Sequence, residues 1–338
     1  MAIDRPIFPR WLCFLEKDKG FSKLARVDEP ETWPCKLKEG QLPKYLFVAY
    51  TSEQFSLESD DDMQALDDIA DAATRYAGLD AYWLGSSCID QTDDAEDQVY
   101  WISDIVRSAA LTCMAIGPSK ATSGMEDADM MKEWGSRIWT FPEVLLSRAH
   151  QPILEVRRGN LDDDDIERLP LTQFPAKVWN DGGESRRLID HFNGTLHMNN
   201  LELMTTALQC LHKRSTASQH FNGDHSYALM GLVNIRPRPI WADSAFQAFA
   251  RLSLANNSEK LLERLICVLP RRTDQEWWDM SDAFSVNLWD IYPSVQIAAN
   301  SVTQEFAAQR RCISPVKNEE ISPTMPRAAT LITTMTTQ

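Results

Sequence analysis

Between residues 45 and 116 the chain alternates short unbroken apolar runs with longer stretches of helical periodicity, and few architectures accept that order. Tyr45-Leu-Phe-Val-Ala-Tyr50 is continuously apolar and aromatic rather than alternating, which suits a strand buried on both faces. Met63, Leu66, Ile69, Ala70 and Ala73 then recur at helical spacing. Asp60, Asp61 and Asp62 stand before them, where carboxylates favour a helix N-terminus, and Gly78 stops the pattern. Ala81-Tyr-Trp-Leu84 reads as a second strand, closed by Gly85-Ser-Ser87. Val99, Ile102, Ile105 and Val106 mark one face of a helix over Val99 to Arg107, and Leu111 to Ile116 is a third strand ended by Gly117-Pro118. The order strand, helix, strand, helix, strand predicts an α/β fold, a parallel sheet with helices against it. Ligands of such sheets gather at the C-terminal ends of the strands, here Tyr50 to Gln54, Gly85 to Gln91 and Gly117 to Ser119.

The 338 residues, 43% of them hydrophobic, suffice for one large core or two domains. Residues 1–43 carry aromatic anchors at Trp11, Phe14 and Trp33 between Pro6, Pro9, Pro30, Pro34 and Pro43, and are expected to form an irregular N-terminal strap. The α/β domain is expected over 44–158. Gly159 to Gly183, with Asp162-Asp-Asp-Asp165, reads as a boundary. The second half, 184–300, is expected to be mainly helical, from the periodicity of His191 to His212, Asp224 to Leu232, Asp243 to Ala255 and Asn257 to Leu269. The tail 301–338, poor in aromatics and rich in Ser, Thr and Pro towards its end, is expected to be mobile.

Charge excludes one class of partner. The formal net charge is −15, and Thr51 to Asp104 holds fifteen acidic side chains against Arg75 alone, a field that repels a phosphate backbone. Basic pairs such as Arg157-Arg158 and Arg186-Arg187 are not interleaved with aromatics and read as solvated surface, as do Asp60 to Asp62 and Asp93 to Asp97. No apolar run is long enough to span a bilayer, and the first residues lack a basic segment feeding an apolar one, so neither membrane nor secretion is expected. Seven single cysteines without a CxxC pair, and histidines without His-x-x-x-His spacing, predict free thiols in a reducing cytoplasm and no metal. Cys88, Cys113 and Cys267 read as small buried hydrophobes.

Three blocks resemble the fungal heterokaryon-incompatibility (HET) domain. Tyr82-Trp-Leu-Gly-Ser-Ser-Cys-Ile-Asp-Gln91 with Glu96-Asp97 is similar to that domain's Trp-Ile-Asp, two variable residues, Cys-Ile-Asp-Gln block and its acidic pair. Trp134-Gly-Ser-Arg-Ile-Trp-Thr-Phe-Pro-Glu-Val-Leu-Leu-Ser147 is similar to the closing Arg-Gly-Trp-Thr, two variable residues, Glu-Arg-Leu-Leu-Ser block, and Tyr45 to Tyr50 stands for the opening strand. Downstream, Asp224-His-Ser-Tyr-Ala-Leu-Met-Gly-Leu232 resembles the family's Asp-x-x-Tyr-Ala-Leu-Leu-Gly-Leu segment. The resemblance covers about residues 43–150, with departures at Ala49 and Thr51 to Glu53, in place of Ser-Tyr-x-Trp-Gly, and at Gly85, in place of an aspartate. It implies a flavodoxin-like fold distantly similar to TIR domains, and cell-death signalling on non-self recognition. Some TIR domains cleave NAD with a glutamate four residues after a tryptophan, and Trp139-Thr-Phe-Pro-Glu143 has that spacing.

Glu143 is therefore the candidate catalytic residue, a carboxylate that could hold ribose hydroxyls and stabilise the oxocarbenium-like charge as nicotinamide leaves. The competing structural reading makes Thr140 the cap of a helix and Glu143 its capping-box partner. Tyr50, Asp90, Gln91 and Trp139 are the candidate ligand-binding residues, although Asp90 could equally cap its own turn and Trp139, like Trp134, could be a core wedge. Cys88 has no histidine near in sequence to activate it as a nucleophile. Three expectations follow. One is a signalling module acting through a protein partner or self-association, with no cofactor. Another is a TIR-like NAD glycohydrolase using Glu143, with NAD as substrate; a non-toxic scaffold retaining the fold is a third.

Overall fold

The computed structural model describes residues 8–16, 22–38, 40–89, 95–118, 124–214, 223–240, 242–243 and 245–255. The expected helix over Asn257 to Leu269, the tail 301–338, Cys267, Asp90 and Gln91 lie outside them. The chain divides into two compact units, one of Met1–His220 with Ala228–Asn234 and one of Phe221–Tyr227 with Ile235–Gln338.

The first unit is an α/β fold on a seven-stranded mixed sheet. Its strands are β1 (Trp11–Leu15), β2 (Ser22–Arg26), β3 (Tyr45–Ala49), β4 (Ala81–Leu84), β5 (Leu111–Ile116), β6 (Ile153–Arg157) and β7 (Glu167–Leu169), in the order β2-β1-β4-β3-β5-β6-β7. The four central strands are parallel, while β1 against β4 and β7 against β6 run antiparallel. Numbered by appearance, the parallel core reads 2-1-3-4, the flavodoxin-type order, whose switch point lies between β3 and β5.

Helices α1 (Asp60–Tyr76) and α3 (Ala95–Ser108) connect β3 to β4 and β4 to β5, with the single turn α2 (Gly85–Cys88) between. The two crossovers run in opposite directions across the sheet, so right-handed connections put them on opposite faces. Side chains agree. Tyr45 donates to the Ile105 carbonyl of α3 at 2.5 Å, whereas the Tyr82 hydroxyl lies 3.3 Å from Asp67 of α1. All five residues of β3 and all four of β4 are buried, as the unbroken apolar runs require.

Several expectations are corrected. Residues 11–26 are not an irregular strap: β1 and β2 form a hairpin added to the sheet, Cys13 opposite Leu24. The prolines stand outside Trp11-Leu-Cys-Phe-Leu15 rather than within it, so they bound the hairpin instead of breaking it. The stretch Gly159 to Gly183, expected to be a boundary, carries β7 and helix α6 (Phe174–Val178). Asp62 and Arg158 are not solvated surface. Asp62 is buried, pairs with Arg158 and accepts the Ser56 N–H at 2.9 Å, so it ties the turn before α1 to the end of β6. Arg157 pairs with Glu155 at 2.6 Å and Asp127 at 2.5 Å.

Helix α4 (Asp127–Gly135) and helix α5 (Thr140–Leu145) precede β6, and α7 (Gly182–Phe192) and α8 (Asn200–His212) follow α6. The single periodic stretch read from His191 to His212 is thus two helices, parted at Gly194, whose φ of 76° suits glycine. Helix α9 (Asp224–Val233) matches its expected span, and α10 (Ala245–Ala255) follows. In the second unit the Tyr227 hydroxyl takes the Ile240 N–H at 2.9 Å and lies 2.8 Å from Asp243, which also pairs with Arg251 at 2.6 Å. No described helix is long and apolar enough to cross a membrane.

Candidate functional site

The C-terminal ends of β3 and β4 meet at one corner of the first unit, and Glu143 of α5 lies within electrostatic reach of it. Tyr50 leaves the end of β3 with its hydroxyl against the start of α2: a Cβ placed on Gly85 would stand 3.6 Å from it. The departure at position 85 thus lies where Tyr50 ends. Burial pushes the Tyr50 hydroxyl up to about 12, the neighbouring Ser86 opposes the rise, and the charge of Glu143 adds to it. Tyr50 and Glu143, two of the sequence candidates, are thereby brought within electrostatic reach.

Glu143 does not cap its helix. The N-cap of α5 is Trp139, and Thr140 is the first helical residue. The Thr140 hydroxyl donates backward, 3.1 Å to the Trp134 carbonyl and 3.2 Å to that of Arg137. The expected capping box is therefore absent, because a cap hydroxyl must face the N–H groups ahead of it. The Glu143 carboxyl is 9% exposed, its Oε2 has no hydrogen-bond partner among the described residues, and burial pushes the group up to about 8. At neutral pH it is largely a protonated acid, with a buried oxygen that no described group meets.

What turns Glu143 toward this corner is the packing on the other side of α5. Arg214 lies 4.3 Å from the centre of the Phe141 ring and 5.0 Å from that of Trp179, and bonds Asp181 at 3.2 Å. Phe141 and Trp179 meet edge to face at 5.0 Å. Phe141 and Glu143 are two residues apart, about 200° around a helix, so anchoring Phe141 in this cage aims Glu143 away from it. The downstream glycine of the resemblance fixes the far end: a Cβ on Gly231 would collide with Ser103 Oγ and stand 2.6 Å from Leu146 Cδ1. Only glycine lets that segment lie so close to α3 and to the C-cap of α5.

The switch point itself is filled by the turn after β3. Gln54, 1% exposed, accepts the Gly117 N–H at 3.2 Å and donates to the Met130 carbonyl at 2.9 Å and to Glu133 at 3.2 Å. Phe55 is fully buried, and a Cβ on Gly117 would meet its ring at 2.7 Å. Glu53 beside them pairs with Arg137, while the Thr51 hydroxyl and Glu53 Oε2 are buried without partners among the described residues.

Trp139 sits half-buried at the start of α5, whereas Trp134 is a core residue packed on Phe174. Cys88 and Cys113 are buried, as their apolar settings predict. Sequence reasoning placed Gln54 in a strand-end segment without giving it a role, and missed Arg137 and Arg214. Their polarity marks them, but only tertiary pairing assigns them a place. Comparison with protein-family models, with curated proteins and with solved structures finds no match for this chain.

Proposed function

We propose that the chain is a cell-death signalling module of the heterokaryon-incompatibility type, whose α/β unit cleaves the glycosidic bond of NAD at the Tyr50–Glu143 corner. One observation carries this reading: Glu143 is a buried carboxyl with an oxygen that no described residue satisfies, at the strand ends of a flavodoxin-ordered sheet and free of the capping duty that would explain it. Ionised, it would hold the ribose hydroxyls and the positive charge that develops as nicotinamide departs. Tyr50 supplies a neutral hydroxyl beside it. Action in the cytoplasm, and activation by a protein partner or by self-association, belong to the same proposal.

NAD consumption by the purified full chain, wild type against Glu143→Gln, tests it. Loss of at least a hundredfold in the variant, with its fold intact by circular dichroism, is expected. Because Glu143 must ionise, the rate should climb with pH through an apparent pKa near 8. Equal rates at background in an assembled sample would leave the second reading, a module that signals through protein contact alone. That reading is supported by Gln54 and Phe55, which close the crevice where sheets of this order hold ligands. It expects toxicity on overexpression in fungal cells to survive Glu143→Gln.

A further inference from the structure

Two thiols distant in sequence meet near the edge of the sheet. Cys13 is the middle residue of β1 and Cys88 the last of α2, and their sulfurs lie 3.7 Å apart. Each is 4% exposed. Tyr82 holds both: Cys13 faces it across the β1–β4 ladder, and the Cys88 thiol donates to its carbonyl at 3.8 Å. Of the other described cysteines, Cys113 lies inside β5, Cys210 is bonded to Ser185, and Cys35 is partly exposed. A disulfide needs its sulfurs about 2.0 Å apart, so an approach of less than 2 Å would close this pair. One partner sits on a single helical turn, a segment short enough to make that movement.

We propose that Cys13 and Cys88 form a two-electron oxidation site, closing to a reversible disulfide that ties the N-terminal hairpin to the turn after β4. With a peroxide as oxidant the atoms balance. One sulfur attacks the O–O bond and becomes a sulfenic acid, releasing water. The second sulfur displaces the sulfenic oxygen, which leaves as another water carrying the remaining thiol proton. The hydrogen bond to Cys88, and then burial, hold the Cys13 thiol well above its usual range, so the pair responds to sustained oxidant rather than to a brief pulse. Closure would pull on α2, which also carries Ser86 against Tyr50. The bond itself is independent of any chemistry at Glu143.

The test reads the bond and not turnover. The native full chain is held in hydrogen peroxide for hours at pH 8, its free thiols are alkylated, and it is digested without reductant for peptide mapping. The Cys13 and Cys88 peptides should appear joined, two hydrogens lighter than their sum, in most chains, and separate again in dithiothreitol. The unfolding midpoint should rise by roughly 5–10 °C on oxidation of the wild type and stay unchanged in equally treated Cys88→Ala. Recovery of both cysteines as alkylated free thiols after Cys35 has reacted fully, or of either joined to another cysteine, would overturn the proposal. The wild-type map decides even if the variant fails to fold.

Discussion

Two regions of the first unit treat a buried carboxylate in opposite ways. Glu155, 1% exposed on β6, is bonded by Arg157 at 2.6 Å and Lys177 at 3.0 Å, and Asp181, on the far side of α5, is bonded by Arg214. One oxygen each of Asp181 and Glu143 meets no described group, but Asp181 has its cation while Glu143, on α5 itself, has none among the described residues. The fold can therefore supply a cation to a buried acid, and does so for both Glu155 and Asp181 within the same unit. Where it supplies none, the acid is pushed toward its neutral form and lowers stability whenever it ionises. That difference separates carboxylates that hold the fold from the one to which the proposed function assigns a ligand.

The comparison breaks if the paired acids prove dispensable. Arg214→Leu leaves Asp181 buried without its cation and removes the ring stacking under α5, so it should cost about 3–5 kcal/mol in urea unfolding. The double variant with Asp181→Leu should recover much of that loss. Glu155→Gln is expected to cost less, about 2 kcal/mol, because Arg157 keeps Asp127 and Lys177 keeps Glu167 at partly exposed sites. Values near zero for either would mean that pairing is not what distinguishes these acids from Glu143.

The same contrast explains what could be read from the sequence. Strands β3, β4 and β5 were legible because each is an unbroken apolar run buried on both faces. Strand β6 was not, since Glu155 and Arg157 interrupt its pattern and are tolerated only because each answers the other. The hairpin of β1 and β2 was hidden by the prolines around it, and Ser22-Lys-Leu-Ala-Arg26, in which Ala25 alone is buried, carries little core signal. At the site, the resemblance singled out Glu143 and the strand-end rule pointed to Tyr50, but Thr140 followed by a glutamate three residues on imitates a capping box. Only the register of α5, set by Phe141 in the Arg214 cage, tells the two readings apart.

The sharpest form of the comparison is a change of sign with a pH signature, and it has the smallest expected size. Glu143 has a folded-state pKa of about 8, above its usual value near 4.5, so between those limits the folded chain binds more protons than the unfolded one. Its contribution is harmless below pH 4.5, grows more unfavourable as pH rises, and levels off above pH 8. Glu143→Gln removes that slope. The variant should match the wild type near pH 5 and exceed it at pH 8. The gain should be about 1–2 kcal/mol. That is well under the ceiling set by about 1.4 kcal/mol for every tenfold change in proton affinity between the two states, because relaxation and entering water ease the charged form. Urea unfolding at the two pH values measures the difference. A variant less stable than the wild type at pH 8 would put Glu143 with Glu155 and Asp181, as an acid that the fold needs charged.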